Sequence, residues 1–432
     1  MVIPEKKRKE KILLGNTVSL YIMTFSTQLL NLITIPFLSR TLGPAIFGKI
    51  GLATAYMTYV QFILDFGFML SATQEISKRR DDKLYISRVF TSVMIIKAFL
   101  SAMLLILFML ITRIGLVSKE DLYFYLLYLA AYIANAFLPD YFYRGIESMK
   151  VITYRTICIK SLFAIIVILL VKRESDVFMV PFSLLIGNAI AAIVSYYDIC
   201  MKKDIKMLRV SSTEILRLFR QSLPFFISRI SITFYQGLNF VLLGYMNGTA
   251  SVVGYYTSVD KLVSLAKAGA SPIADSLLPY MVKNEDFKIV KKILLVSMPI
   301  ITIGVLILGI FSSELCVFLF GRDYRDAGKI LICALPVLWA VLPSYIMSFP
   351  ILSPMGLTKQ ANISNVVGMC VQLILLALTY LLIGLNVYSL CIITSITEMV
   401  VLLFRVSIAV KYRNRIHPAE LAKSTAKIIV TH

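Results

Sequence analysis

The residues of this chain with the capacity for chemistry cluster between Phe225 and Asp275, where charged and amide side chains interrupt apolar helical stretches. One stretch carries Arg229, Thr233, Gln236 and Asn239; the next carries Asp260, Lys261, Ser264, Lys267, Ser271 and Asp275. Counted from Asp260, the groups at Ser264, Lys267, Ser271 and Asp275 lie four, seven, eleven and fifteen residues on. At about 100° per residue they form one narrow stripe along a helix. A charge in the middle of a bilayer-crossing helix costs roughly 3 kcal/mol, so such a stripe faces protein or water rather than lipid. Lys97, alone in a span of Met, Ile and Leu, and Asp65 are charges of the same kind. Arg405 and Asp140 stand close enough to span ends to snorkel toward the interface.

Hydrolytic and metal chemistry find no support. The only histidines are His417 and His432, and the six cysteines show no C-x-x-C or other ligand spacing. No catalytic residue, metal site or organic cofactor is expected, and the chain reads as a non-enzyme. Gly43-Pro-Ala-Ile-Phe-Gly48-Lys49 imitates a phosphate-binding loop, but Ile50 stands where a Ser or Thr should hold magnesium. A tight turn in which glycine supplies a positive φ accounts for it better.

The positioning elements follow from composition. The 432 residues are 58% hydrophobic with a mean hydropathy of +0.82, too apolar for a soluble domain. Twelve spans of sufficient length can be marked, near 13–38, 46–72, 87–111, 121–143, 153–171, 177–198, 222–246, 252–280, 289–311, 329–352, 363–383 and 387–410. The formal charge of +20 suggests nucleic acid until the basic residues are sorted by loop. With the N-terminus inside, 29 Lys and Arg fall in inner segments and 9 in outer ones, which places both termini in the cytoplasm and leaves no role for nucleic acid.

The halves repeat. Gln28-x-x-Asn31 returns as Gln236-x-x-Asn239, and Thr54, Thr58, Gln61 and Asp65 fall 206 residues before Asp260, Ser264, Lys267 and Ser271. The expected fold is therefore an all-α polytopic membrane protein of twelve transmembrane helices in two six-helix lobes, related by a pseudo-twofold axis along the membrane normal. The expected division is an N-terminal lobe at 1–200, an amphipathic cytoplasmic linker at 201–221, a second lobe at 222–410 and a basic tail at 411–432. Ser211-Ser-Thr-Glu214 offers the linker helix a capping box.

Leu38-Ser-Arg-Thr-Leu-Gly-Pro-Ala-Ile-Phe-Gly48, Pro139-Asp-Tyr-Phe-Tyr-Arg-Gly145 with Lys150, Val253-Gly-Tyr-Tyr256 with Asp260-Lys261-Leu262, and Phe320-Gly-Arg-Asp-Tyr324 occur in this order. Together they resemble the O-antigen (Wzx-type) polysaccharide flippases of the multidrug/oligosaccharidyl-lipid/polysaccharide exporter superfamily. Tyr141 and Tyr143 depart from the Trp and Gln frequent there. The resemblance implies passage of an undecaprenyl-diphosphate-linked oligosaccharide across the bacterial inner membrane, through a hydrophilic lumen between lobes, driven by an ion gradient. Membrane lipid and a polysaccharide polymerase with its chain-length machinery are the implied partners. On that reading Arg229 and Lys267 meet the diphosphate or acidic sugars, in preference to a purely structural pairing, with Lys97 and Lys261 as further cations that can instead be halves of structural ion pairs. Gln28, Asn31, Gln236 and Asn239 meet sugar hydroxyls, and Asp65 and Asp260 carry a coupling proton or sodium ion, or Asp65 neutralises Lys267. A multidrug antiporter of the same superfamily and a flippase for the peptidoglycan precursor lipid II are the competing readings.

Overall fold

A computed structural model describes residues 5–115, 118–246, 250–284 and 287–412. The described residues are helical apart from short turns and contain no strand. Among the described residues nine helical segments are long and apolar enough to cross a membrane, which makes the chain a multi-pass membrane protein. The helices group into two compact units, Met1–Val241 and Leu242–His432.

The first unit opens with α1 (Glu5–Asp65), whose 61 residues are bent at Gly43. Gly43 has φ 69°, a value that favours glycine, and Pro44 restarts the helix with its φ already fixed. The P-loop-like segment is thus a helix bend. Then come α2 (Phe68–Lys78), α3 (Lys83–Arg113), α4 (Lys119–Ala136), the single turn and a half of α5 (Asp140–Gly145), α6 (Met149–Leu170) and α7 (Met179–Tyr197). Side-chain caps fix two starts: Asp82 accepts from the Tyr85 amide and Ser118 from that of Asp121.

The last helix to join this unit, α8 (Ser212–Tyr245), begins as the spacing predicts. The Glu214 amide donates to Ser211 Oγ at 3.3 Å, and the Ser211 amide donates to Glu214 Oε2 at 3.1 Å. The helix then runs on through Pro224 without a break, so the amphipathic segment forms the first turns of α8 rather than a separate surface helix. The boundary between the two units falls inside α8, at Val241.

The start of α8 is fastened to the break between α1 and α2. Phe66 and Gly67 both take positive φ, 38° and 78°. The Phe66 ring stacks on Phe219 at 4.4 Å and on Phe226 at 4.7 Å, while Phe62 stacks on Phe226 at 4.7 Å. Ser71 and Ser222 share a buried 2.7 Å hydrogen bond. Gly67 lies so close to α8 that a Cβ there would come 2.9 Å from both Phe225 Cβ and the Ser222 carbonyl oxygen.

The second unit comprises α9 (Ala250–Asn284), α10 (Phe287–Ile310), α11 (Ser312–Phe320), α12 (Ala327–Ile346), the short α13 (Phe349–Leu352), α14 (Thr358–Leu382) and α15 (Val387–Lys411). Its core is built from α9, α12, α13 and α14, around Met281, Val337, Ile346, Leu352 and Ala361. Outward faces are apolar as well; Phe99 and Leu306 are among many exposed large side chains, the surface expected against lipid.

Candidate functional site

The predicted stripe lies along α9. Asp260, Lys261 and Lys267 are half-buried, Ser264 is exposed, and Ser271 donates to Asp275 Oδ2 at 2.9 Å. Lys267 reaches beyond its own helix: its ammonium is 3.1 Å from Glu398 Oε1 on α15, with both side chains mostly covered. Asp260 lies within the electrostatic influence of both Lys261 and Lys267. The C-terminal half therefore supplies carboxylates beside its cations, a balance the stripe alone did not reveal.

In the first unit the equivalent positions form an amide relay. Asn135 Nδ2 on α4 donates to Gln61 Oε1 at 3.1 Å, and Gln61 Nε2 donates to Asp65 Oδ1 at 3.0 Å. Lys97 of α3 is buried, donates to the Ala136 carbonyl and sits 5.5 Å from the centroid of the Tyr141 ring. The carboxylates of Asp65 and Asp140 act on it. Lys97 is thus held by a backbone carbonyl and an aromatic ring, with two carboxylates within electrostatic reach.

Gln28 and Asn31 are half-buried on α1, and Asn239 is buried near the end of α8. The side chains of Arg229 and Gln236 lie outside the described residues. The structure therefore brings together Lys267 with Asp260 in the second unit, and Lys97 with Asp65 in the first.

Two span charges expected to snorkel toward the interface are instead engaged by protein groups. Arg405 is buried on α15, its guanidinium donating to Ser364 Oγ, the Ser344 carbonyl and Oγ, and Asn365 Oδ1 at 2.7–2.9 Å. A fork with five donors can be satisfied by such neutral acceptors, which removes the need to snorkel. Asp140 is paired with Arg155, a residue the loop count had placed at the cytoplasmic surface. Arg155 is the seventh residue of α6 and is 9% exposed.

The sequence motifs prove largely architectural. In the Pro139–Gly145 segment, Tyr143 donates to Asp198 Oδ2 at 2.9 Å, and a Cβ on Gly145 would strike Ile76 of α2 at 2.6 Å. Tyr255, from Val253–Tyr256, meets the ring of Tyr324, from Phe320–Tyr324, at 5.9 Å. A cavity of about 930 Å³ contains none of the candidate residues. It is an apolar groove of the second unit lined by Leu294 and Met298 of α10, Val406 of α15 and Met355 in the turn after α13, as befits a surface wetted by lipid chains.

Polar and charged groups are held inside an all-helical, multi-pass frame, and this fold is shared with solved structures. It is similar to an inward-facing multidrug resistance MATE family transporter of the MOP superfamily, with a TM-score of 0.70 at 17% identity over 92% of this chain and 96% of that one. It is also similar to the lipid II flippase MurJ in its inward closed conformation, with a TM-score of 0.68 at 14% identity over 95% and 92% of the two chains. Residues 13–285 match the polysaccharide biosynthesis protein family, and the chain belongs to that family. Two relatives, each named "Putative O-antigen transporter", come from Escherichia coli (strain K12) and Shigella dysenteriae. The first is 25% identical over 89% of this chain and 96% of its own length, the second 24% over 83% and 91%.

Proposed function

We propose that this protein is a flippase that moves an undecaprenyl-diphosphate-linked oligosaccharide, an O-antigen or related surface polysaccharide repeat, from the cytoplasmic to the periplasmic leaflet of the bacterial inner membrane. The observation that carries this reading is the nearly end-to-end similarity to proteins named as O-antigen transporters, within a family named for polysaccharide biosynthesis. The charged interior supports it: a diphosphate needs cationic partners, which α9 and α8 offer in Lys267, Lys261 and Arg229.

On this reading the chain crosses the membrane twelve times with both termini cytoplasmic, as the 29-to-9 excess of basic residues in inner segments favours. Gln28, Asn31, Gln236 and Asn239 meet sugar hydroxyls. Asp260, within the electrostatic influence of Lys261 and Lys267, and Asp65, which acts on Lys97, couple flipping to a proton or sodium gradient. Transport needs no organic cofactor and breaks no covalent bond in the cargo. The product leaflet is where a polysaccharide polymerase would receive it. A multidrug antiporter shares the fold alone and lacks the relatives' names in its favour.

The test is reconstitution. In proteoliposomes holding a prenyl-diphosphate-linked oligosaccharide, the purified protein should expose the sugar to an external lectin only when an ion gradient is imposed. Transfer at the rate of protein-free vesicles, in a preparation verified as folded, would overturn the reading.

A further inference from the structure

A polar chamber lies wholly within the first unit. It is a cavity of about 350 Å³ between α1, α4, α5, α6 and α7. Among its lining residues Arg144, Arg155 and Lys160 are cationic, and Asp140 is the single carboxylate. Asn135 and Asn188 add amides, of which Asn188 Nδ2 is already committed to the Ala131 carbonyl at 3.0 Å.

Two buried donors of this chamber stand without an acceptor. Arg155 gives one nitrogen to Asp140 and another to Ser195 Oγ at 3.3 Å, yet its buried Nε has no hydrogen-bond partner among the described residues. The Nε of Arg144 is buried and unpartnered in the same way. A buried N–H left without an acceptor is costly, and a guanidinium offers Nε together with Nη as a fork matched to two oxygens of one anion. Asp198, the carboxylate beyond the lining, accepts from Tyr143 and does not answer this demand. Two buried guanidinium Nε donors without an acceptor, on the lining of an open volume that Lys160 also borders, call for an oxyanion.

We propose that this chamber is an anion site, taking a phosphate or carboxylate group between Arg144, Arg155 and Lys160, with Asp140 as an internal competitor for Arg155. The group has two possible sources: a free anion of the cytosol, or a phosphate carried on a prenyl lipid. The site stands on the lining residues alone and does not depend on the flippase reading.

The experiment is calorimetric titration of the full-length protein in detergent with inorganic phosphate and, separately, with farnesyl diphosphate. Arg144→Gln and Lys160→Gln should each weaken binding about tenfold, the worth of one charge-assisted hydrogen bond. Asp140→Asn should strengthen it several-fold, because Arg155 is freed; a merely structural pair would give no such gain. Binding of phosphate identifies a free anion as the source, and binding of farnesyl diphosphate alone identifies the lipid. Absence of binding by both probes to wild-type protein, or binding by both variants and Asp140→Asn at wild-type affinity, overturns the proposal and leaves water as the occupant. Unliganded thermal unfolding of each variant guards against misfolding being read as lost binding.

Discussion

The pairing of Lys267 with Glu398 makes a prediction that separates scaffold from cargo contact. At 3.1 Å and an effective dielectric constant near 20, the two charges attract by about 5 kcal/mol. Desolvation returns much of this, and the side chains retain 25% and 16% of their exposure, so screening removes more. A net coupling of about 1–3 kcal/mol remains. Lys267→Ala and Glu398→Ala should each destabilise the purified protein by about 2 kcal/mol in denaturant unfolding, since each strands a partly buried partner. The double variant Lys267→Glu with Glu398→Lys should recover at least half of that loss. Surface polysaccharide in a strain lacking its own flippase gives the second readout: if Lys267 also meets the diphosphate, the swapped protein is stable but does not restore it. A double-mutant coupling below about 0.5 kcal/mol would refute the pair. Full restoration by the swapped protein would refute the cargo contact.

Three further outcomes follow from the geometry. Gly67→Ala should cost about 3 kcal/mol, because its left-handed backbone and the 2.9 Å approach to the Ser222 carbonyl both penalise a Cβ; Gly384→Ala, with φ 83° but open space around it, should cost only about 1 kcal/mol by the same unfolding assay. Arg405→Met should destabilise by about 3 kcal/mol, since it strips the donor from the buried hydroxyls and amide of Ser344, Ser364 and Asn365, and a loss below 1 kcal/mol would contradict the network. The Ser211 amide, helped by Arg88, holds the Glu214 carboxyl below its ordinary range; a depressed folded-state value stabilises the helix start above the unfolded value and loses that effect as pH falls through the folded one. Amide exchange over residues 212–216, corrected for intrinsic rate, should therefore speed up in acid in the wild type and lose this pH dependence in Glu214→Gln.

What the sequence made legible was whatever depends on local order. Hydropathy located the apolar helices, Gly43-Pro44 marked the bend in α1, and Ser211 with Glu214 marked the start of α8. What it hid were partners distant along the chain. The stripe on α9 read as a cationic surface because its counter-charge, Glu398, lies on α15, where one carboxylate among apolar residues carried no pattern of its own. Arg155 was counted with loop cations because charge counting has no knowledge of burial, and only the fold brings Asp140 to it. Arg405 illustrates the same gap: Ser344, Ser364 and Asn365 are unremarkable until α12, α14 and α15 pack together. A lone amide such as Asn135 in an apolar span was the one available signal of the Gln61–Asp65 relay.

The distance in sequence between Lys267 and Glu398 also bears on how the chain is made. Their 131-residue separation takes on the order of ten seconds to synthesise at 5–20 residues per second. Through that interval α9, which carries Asp260, Lys261, Lys267 and Asp275 and is not among the nine apolar segments, has no Glu398 to neutralise its lysine. If α9 is one of the twelve proposed spans, its lysine waits for its carboxylate until α15 emerges. Chains truncated before Val387 should accordingly show greater protease sensitivity in α9 than the full chain.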